Sequence, residues 1–328
     1  MPLAVCVVSE PEDVDQGLFG NVFYYPFQIL PYLRRRGIFP AWKIRSLHYG
    51  DSHGMLTIPG ALDLAYTPPE GPYRNLSLWE LRRRHAYNLG NDWTTLSRLW
   101  HEYFRVPQRI LTAVDDLLPA GRVFGIHYRG TDKQTADWDS NPITQEQYLT
   151  LLQQFVRDRG VFDAVFIATD EYAFVDRLRS AIPLPITNLG EVGFHLDLDH
   201  PTPPNEKADR AMLDCVLLSR CEAVLETSSA LPSFAKVFNP DLEIYRCAAS
   251  KLFSDQPYFP VAHIPILPAQ SPEATEILDR TMASDWTLDP SADKFKRTFS
   301  FALRKPLHHT IFTVAETLGL GEMMNRRT

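Results

Sequence analysis

The sequence predicts an α/β protein that is built on parallel sheets. In its second half, short apolar stretches alternate with amphipathic stretches of about 10–15 residues, which is the spacing of strand–helix–strand units. Polar residues cluster directly after several of these apolar stretches. The pattern is therefore Rossmann-like, although it lacks the glycine-rich dinucleotide fingerprint.

The elements of the second half follow from the apolar periods and from helix-start signals. Thr144 and Gln147 have the spacing of a capping box, which predicts a helix that continues to Arg159. Further helices are predicted over Glu171–Ile182, Asn205–Arg220, with Asn205 as its N-cap, and Ser228–Phe238. The predicted strands are Arg122–Arg129, Phe162–Thr169, Pro185–Leu189, Ala223–Leu225 and Leu242–Cys247.

The first half has less regular periods, because aromatic residues, arginines and prolines interrupt them. An apolar helix is predicted over Val22–Leu33, and we expect Pro26 and Pro31 to kink or break it because each removes a backbone donor. The other predicted elements are strands at Leu3–Val8, Trp42–Ile44 and Leu56–Ile58 and one long helix over Thr95–Leu118.

The length of 328 residues suits two domains. We place the boundary in Pro119-Ala-Gly121, which gives one α/β domain over residues 1–119 and a second over residues 120–270. Residues 271–328 are expected to form a helical segment that packs back across both domains.

The composition excludes several classes of protein. Hydrophobic residues make up 45% of the chain, which excludes a disordered protein, and the net charge of −7 gives no basic field for a nucleic acid partner. The four cysteines form no CxxC pair and are expected to be reduced and buried. No stretch approaches the roughly 18 apolar residues of a membrane span, and the N-terminal residues are typical of a strand rather than a signal peptide. We therefore expect a soluble cytoplasmic protein.

The densest polar cluster is the segment His127-Tyr-Arg129-Gly-Thr131-Asp132-Lys133, which lies at the carboxyl end of a predicted strand. Ligands of open parallel sheets bind at this edge, and burial of so many polar side chains without partners would be costly. An ion pair between Arg129 and Asp132 at the strand end is the simpler alternative.

Further polar clusters follow later strands. Thr169-Asp170-Glu171 follows one strand, and Glu226-Thr227-Ser228-Ser229 follows another and leads into a helix. Hydroxyls and backbone N–H groups at a helix N-terminus bind anions such as phosphate, although helix capping alone also explains them. Asp214 lies in an otherwise apolar helix, where its carboxylate either accepts hydrogen bonds from a guanine or faces solvent. Together these clusters favour a nucleotide-phosphate cleft.

The order of these motifs resembles that of the α1,6-fucosyltransferases, a family that includes the N-glycan core enzyme and the nodulation-factor enzymes, with the protein O-fucosyltransferases as relatives. The resemblance covers residues 122–238, with a weaker match at Gly17-Leu-Phe-Gly20-Asn21. The motifs that carry it are His127-x-Arg129-x-Thr131-Asp132-Lys133, Ala168-Thr169-Asp170-Glu171, Met212-Leu213-Asp214 with Leu217-Leu218-Ser219, and Thr227-Ser228-Ser229. The resemblance implies a GT-B glycosyltransferase with two Rossmann-like domains that face each other across a cleft.

The resemblance also implies the chemistry and the role of each matched residue. The enzyme would invert the anomeric centre, take GDP-fucose as donor and need no metal or other cofactor. Arg129 would hold the β-phosphate of GDP, His127 and Asp214 would contact guanosine, and Asp170 would lie near the ribose. The implied donor-binding set is His127, Arg129, Asp132, Asp170, Asp214, Thr227, Ser228 and Ser229. The implied base is Asp137, four residues beyond Lys133, which would support it.

Two positions depart from the family pattern. The second arginine that is common in the family is Gly130 here, so other groups must stabilise the leaving diphosphate. The base position carries an aspartate rather than a glutamate, and Asp139 lies two residues further on. Both Asp137 and Asp139 therefore stay open as the group that takes the proton of the incoming hydroxyl.

Other chemistries are less well supported. The chain has no G-x-S-x-G segment and no G-x-x-x-x-G-K segment, which disfavours the common hydrolase and NTPase sites. Asp137-Trp-Asp139 and the His/Asp stretch from His195 to His200 carry metal-ligand residue types, but the stretch precedes a proline-rich loop and suits an exposed edge.

The sequence thus predicts an inverting, metal-independent fucosyltransferase whose acceptor is a glycan, a glycolipid or a protein. The donor would bind in the C-terminal domain and the acceptor in the N-terminal domain. Two alternatives stay open: a glycosyltransferase for another nucleotide sugar, and a nucleotide- or glycan-binding protein that has lost catalysis, which Gly130 motivates. The basic C-terminal helices, with Lys294 and Lys305, could also contact the inner face of an anionic membrane.

Overall fold

Two mainly parallel sheets organise the fold, and both lie in one compact unit. The computed structural model describes residues 4–9, 17–46, 48–51, 61–86, 93–130, 143–190, 201–227, 229–248 and 262–265. The prediction of an α/β protein with two Rossmann-like sheets is confirmed. Within these ranges, none of the helices has the length and apolar character that a membrane span requires.

The smaller sheet belongs to the first half of the chain. It contains β1 (Ala4–Ser9), β2 (Ala41–Ser46), β3 (Gly50–Asp51) and β5 (Tyr73–Ser77), in the order β3-β2-β1-β5. β1 pairs in parallel with both β2 and β5, whereas β3 is antiparallel to β2. A π-helical turn (Leu18–Val22) and helix α1 (Tyr24–Arg35) lead from β1 to β2, and helix α2 (Leu78–His85) follows β5 directly.

One helix prediction for this half is wrong, and a second is corrected in its expectation of a break. Helix α1 is not broken but continues to Arg35 with Pro31 in its interior. Pro26 lies in the first turn, where a backbone N–H has no acceptor within the helix, so no hydrogen bond is lost there. The long helix predicted over Thr95–Leu118 is two helices, α3 (Trp93–Tyr103) and α4 (Gln108–Leu117), because Pro107 disfavours helical backbone in the residue before it.

Short segments complete the first half. Between α3 and α4, β6 (Phe104–Arg105) pairs antiparallel with β4 (Asp63–Leu64). The strand predicted at Trp42–Ile44 is part of β2, whereas the one predicted at Leu56–Ile58 lies outside the described residues.

The larger sheet has the strand order of a doubly wound nucleotide-binding fold. All its neighbouring strands are parallel, and from β9 to β12 they lie in the order 3-2-1-4-5-6 when counted from β7. The strands are β7 (Val123–Tyr128), β8 (Ala164–Thr169), β9 (Ile186–Thr187), β10 (Ala223–Glu226), β11 (Glu243–Ala248) and β12 (Ala262–Pro265). The winding reverses between β7 and β10, and a crevice is expected at the carboxyl ends of these two strands.

The helices of this half match their predictions with small shifts. They are α5 (Gln145–Arg159), α6 (Tyr172–Ala181), α7 (Pro204–Ser219) and the short α8 (Ala230–Phe234), which continues as a 3₁₀ turn (Ala235–Val237). The capping box of α5 is confirmed, because Thr144 Oγ1 accepts from Gln147 N and Gln147 Oε1 accepts from Thr144 N. The N-cap of α7 is Pro203 rather than Asn205.

One hydrophobic core connects the two sheets. Phe23, Phe27 and Trp100 of the first half pack around Phe234 of α8. A Cβ placed on Gly20 would lie 3.9 Å from the Cβ of Ala230. The segments that follow β1 and β10 are therefore in contact. The domain division at 119 and 120 falls in the turn between α4 and β7 and stays a prediction, and residues 271–328 lie outside the described residues.

Candidate functional site

Hydrogen bonds tie together the carboxyl ends of β7, β8 and β10. Thr227 N donates to the carbonyl of His127 at 3.0 Å, and Arg129 N donates to Thr227 Oγ1 at 2.9 Å. Gly130 N donates to Asp170 Oδ1 at 3.2 Å. The backbone that leaves β7 is thus fixed from both sides at the point where the sheet changes its winding.

Arg129 places a positive charge at this edge. Its Nε lies 3.8 Å from Asp170 Oδ2, and the two side chains are 19% and 14% exposed. A partly buried ion pair is only weakly screened by solvent, and the remaining exposure leaves the guanidinium accessible to an anion. Asp170 therefore positions Arg129 in two ways. It forms the ion pair with the Arg129 guanidinium, and it accepts a hydrogen bond from the backbone N–H of the next residue, Gly130.

His127 is buried at the end of β7 and stays uncharged. Burial lowers the pKa of its imidazole to about 3, and the nearby positive charge of Arg129 acts in the same direction. Its Nδ1 has no hydrogen-bond partner among the described residues. A neutral imidazole has one donor and one acceptor, so His127 is suited to contact a ligand rather than to exchange protons near pH 7.

Asp214 is held by an arginine one turn earlier on α7. Arg210 Nε lies 3.5 Å from Asp214 Oδ2, and the two Nη atoms of Arg210 donate to the carbonyls of Leu189 and Gly190 at 2.7 Å each. Burial raises the pKa of Asp214 to about 6, and Arg210 opposes this rise. The other oxygen, Oδ1, is buried without a partner among the described residues, so it is a candidate acceptor for a ligand.

The described hydroxyl groups after β10 accept hydrogen bonds from the backbone. Thr227 Oγ1 accepts from Arg129 N, and Ser229 is the N-cap of α8, with its Oγ accepting from Leu231 N at 3.4 Å. Both side chains are buried. The structure therefore shows Ser229 in the simpler of its two expected roles, as a helix cap.

Glu171 occupies the space where a side chain at position 130 would begin. A Cβ on Gly130 would lie 1.7 Å from Glu171 Oε2 and 2.9 Å from the ring of Tyr128. Glu171 Oε1 accepts from Gln145 Nε2 at 2.5 Å, whereas Oε2 is buried without a partner among the described residues. A second arginine at position 130 is incompatible with this position of Glu171.

A buried ion pair next to His127 escaped the sequence analysis. Glu226 is fully buried, with its Oε1 3.2 Å from Arg246 Nε and 3.4 Å from Ser233 Oγ, and burial raises its pKa to about 7. His127, Glu226 and Arg246 are direct partners across β7, β10 and β11. The sequence signal for the first pair was the opposite charge of Glu226 and Arg246 near the ends of two predicted strands. The signal for Arg210 and Asp214 was their i, i+4 spacing on one helix.

The remaining predicted site residues lie outside the described residues. They are Thr131, Asp132, Lys133, Asp137, Asp139, Ser228 and the stretch His195–His200. In the part of the chain that is described, no group of three His, Cys, Asp or Glu side chains is arranged to hold a metal ion. The four cysteines are buried free thiols, as expected.

The chain is similar in fold to solved structures of fucosyltransferases, the class of protein that its motifs resemble. Fucosyltransferase NodZ from Bradyrhizobium shares 16% identity at a TM-score of 0.48, over 72% of this chain and 92% of that chain. A mutant of Arabidopsis thaliana FUT1 in complex with GDP shares 8% identity at a TM-score of 0.45, over 81% of this chain and 76% of that chain. POFUT1 in complex with GDP shares 11% identity at a TM-score of 0.42, over 72% of this chain and 94% of that chain. No family model matches the chain, and no curated protein matches it.

We predict that Gly130→Ala destabilises the protein by about 1–3 kcal/mol, because the new methyl group meets the Glu171 carboxylate and the Tyr128 ring. Glu171→Ala should remove much of this cost, with a coupling of about 1 kcal/mol in a double-mutant cycle measured by urea unfolding. Gly20→Ala is the control, because its methyl group would make an ordinary contact. If Gly130→Ala lowers the free energy of unfolding equally with and without Glu171→Ala, the contact between position 130 and Glu171 is contradicted.

Proposed function

We propose that the chain is an inverting glycosyltransferase that uses a nucleoside diphosphate sugar, with GDP-fucose as the favoured donor. The observation that carries the proposal is the position of Arg129 at the switch point between β7 and β10, fixed by Thr227 and Asp170. A guanidinium at this edge of a doubly wound sheet suits the diphosphate of a nucleotide sugar.

The preference for guanine rests on Asp214 and His127. A carboxylate oxygen accepts the adjacent donors of guanine, whereas adenine does not offer two donors on that edge. Asp214 Oδ1 is buried and has no partner among the described residues, while Arg210 holds Oδ2. Neutral His127, at the end of β7, supplies a further donor or acceptor. This combination supports a guanosine subsite and extends the motif resemblance.

The reaction exchanges one C–O bond for another at C1 of the sugar. The oxygen of the acceptor hydroxyl attacks C1 from the face opposite the diphosphate, and the bond from C1 to the β-phosphate oxygen breaks, so the configuration inverts. Arg129 stabilises the charge that develops on the departing diphosphate. The hydroxyl proton passes to a carboxylate, for which we propose Asp137 supported by Lys133, with Asp139 as the alternative. We propose that this chemistry needs no metal, on the basis of the motif resemblance.

The acceptor side is proposed more coarsely. A hydroxyl of a glycan, a glycolipid or a protein would enter from the first half of the chain, whose π-helical turn after β1 contacts α8. A cytoplasmic location is proposed with it, from the sequence features alone.

A second candidate function is a nucleotide-binding protein without turnover. The Glu171 carboxylate lies where a side chain at position 130 would begin, so the second arginine of the family is missing and a carboxylate stands beside its position. This weakens leaving-group stabilisation without removing Arg129. A glycosyltransferase for another nucleotide sugar stays the alternative within the enzyme class.

We predict that GDP and GDP-fucose stabilise the protein against heat, by about 2.7 kcal/mol at 100 times the dissociation constant, and that Arg129→Ala abolishes this effect. UDP and ADP should stabilise less. Arg122→Ala is the matched control, because Arg122 precedes the same strand at its opposite end and pairs with Glu222 on the surface. Stabilisation that survives Arg129→Ala, or that is equal for all nucleotides, would contradict the donor site.

We predict that Asp137→Asn lowers turnover by about 10²–10⁴-fold while the affinity for GDP stays close to that of the wild type, because a general base acts on the acceptor hydroxyl. Turnover is measured as GDP release from GDP-fucose with glycan, glycolipid and peptide acceptors. Asp139→Asn is the parallel variant and should retain turnover if Asp137 is the base. Tight GDP binding without turnover of the wild type would favour the second candidate function.

We predict that Arg210→Met shifts the pH dependence of GDP binding upwards. The folded pKa of Asp214, about 6, is already raised by burial, and loss of Arg210 raises it further, so the ionised acceptor forms only at higher pH. Wild-type affinity should therefore fall below about pH 6, and the affinity of the variant should fall at a higher pH. Titrations between pH 5.5 and 8.5 test this. Arg210→Lys keeps the charge and should keep the midpoint near that of the wild type; equal midpoints in all three proteins would refute the role.

A further inference from the structure

Six arginines lie at the ends of two neighbouring helices in the first half of the chain. The last turn of α1 and the residue after it carry Arg34, Arg35 and Arg36, and the last turn of α2 carries Arg82, Arg83 and Arg84. We call these six residues the arginine surface. All of them except Arg82 are exposed.

Side-chain contacts place the two groups next to each other. The ring of His85 stacks on Tyr32 with the centroids 3.9 Å apart, and the guanidinium of Arg36 lies 5.6 Å from the same Tyr32 ring. Arg82 Nε donates to Gln28 Oε1 of α1 at 2.9 Å. Since Gln28 pairs with Arg82 and Tyr32 with His85, the helices run in the same direction and end side by side.

Within the described part of the chain, the arginine surface has six arginines and ion pairs with two acids. The ion pairs shown for these residues use Glu80, which lies 3.0 Å from Arg83 and 3.1 Å from Arg84, and Glu102, which contacts Arg34 at 2.5 Å. One or two cations suffice to complement the dipole at a helix C-terminus. The chain as a whole has a net charge of −7, so this local surplus is a specific feature of one surface.

An exposed aromatic residue adjoins the arginines. Trp79 on α2 is 38% exposed, and the guanidinium of Arg82 lies 5.3 Å from its ring. Indole rings favour the headgroup region of a bilayer, and arginines are attracted to anionic lipid headgroups. We propose that the arginine surface and Trp79 dock the protein on an anionic lipid bilayer.

This surface lies away from the candidate site. Because β1 and β2 are parallel, α1 returns along the sheet and ends near its amino-terminal edge. The π-helical turn that contacts α8 lies at the beginning of this connection, after the carboxyl end of β1. Docking through this surface therefore leaves the carboxyl ends of β7 and β10 accessible, and the proposal is independent of the proposed function.

The test is co-sedimentation of the full-length protein with vesicles. Wild-type protein should bind vesicles of phosphatidylcholine and phosphatidylglycerol at 50 mM NaCl, release at 500 mM, and ignore pure phosphatidylcholine. The triple variant Arg35→Gln, Arg36→Gln, Arg84→Gln should bind on the order of 100-fold more weakly, from about fivefold for each arginine. Trp79→Ala should also weaken binding at 50 mM NaCl, because the indole ring no longer enters the headgroup region.

The matched control changes the same charge elsewhere. Arg157, Arg177 and Arg179 are exposed on α5 and α6, and their replacement by glutamine should leave vesicle binding intact. Circular dichroism spectra like that of the wild type would show that both triple variants are folded. The proposal is overturned if wild-type protein ignores anionic vesicles, if the two triple variants lose binding equally, or if single-stranded RNA binds the arginine surface and vesicles do not.

Discussion

The parallel pairing of β7 with β10 determines where the charged groups of the candidate site lie. Side chains alternate between two cores along β7, so a slip of one residue would exchange Tyr128 with His127 and move Arg129 away from Thr227. Gly125 makes such a slip costly, since a Cβ there would lie 2.8 Å from Val224 and 3.1 Å from Leu218 of α7. Tight packing around one glycine thus fixes a register that, in turn, sets the geometry of the crevice.

Two buried carboxylates of the larger sheet and its helices each pair with an arginine through only one of their two oxygens. Asp214 has Arg210 on Oδ2, and Glu226 has Arg246 on Oε1, while the second oxygen of each carboxylate has no partner among the described residues. Burial raises the pKa of both acids, which shows that each pair compensates desolvation only in part. The free oxygen of Asp214 is the one that we propose as an acceptor for a ligand, whereas Glu226 is fully buried.

The elements of the larger sheet could be predicted because local signals agree with tertiary packing there. The capping box of Thr144 and the polar groups at the ends of β7, β8 and β10 are examples, and the sequence placed both correctly. The error in the first half arose where two local signals disagree. The apolar period continues past Pro107, but this proline disfavours helical backbone in the residue before it, so the helix is divided. The contact of Glu171 with the space beside Gly130 depends on how β7 and α6 meet, so the sequence carried no signal for it.

The described side chains of the crevice provide no excess of positive charge. Arg129 pairs with Asp170, Arg210 pairs with Asp214, and the Glu171 carboxylate lies beside Gly130. For the proposed donor to bind, Arg129 would turn from Asp170 to the phosphate oxygens. Arg129 Nε lies 3.8 Å from Asp170 Oδ2, which is beyond hydrogen-bond distance for that pair of atoms.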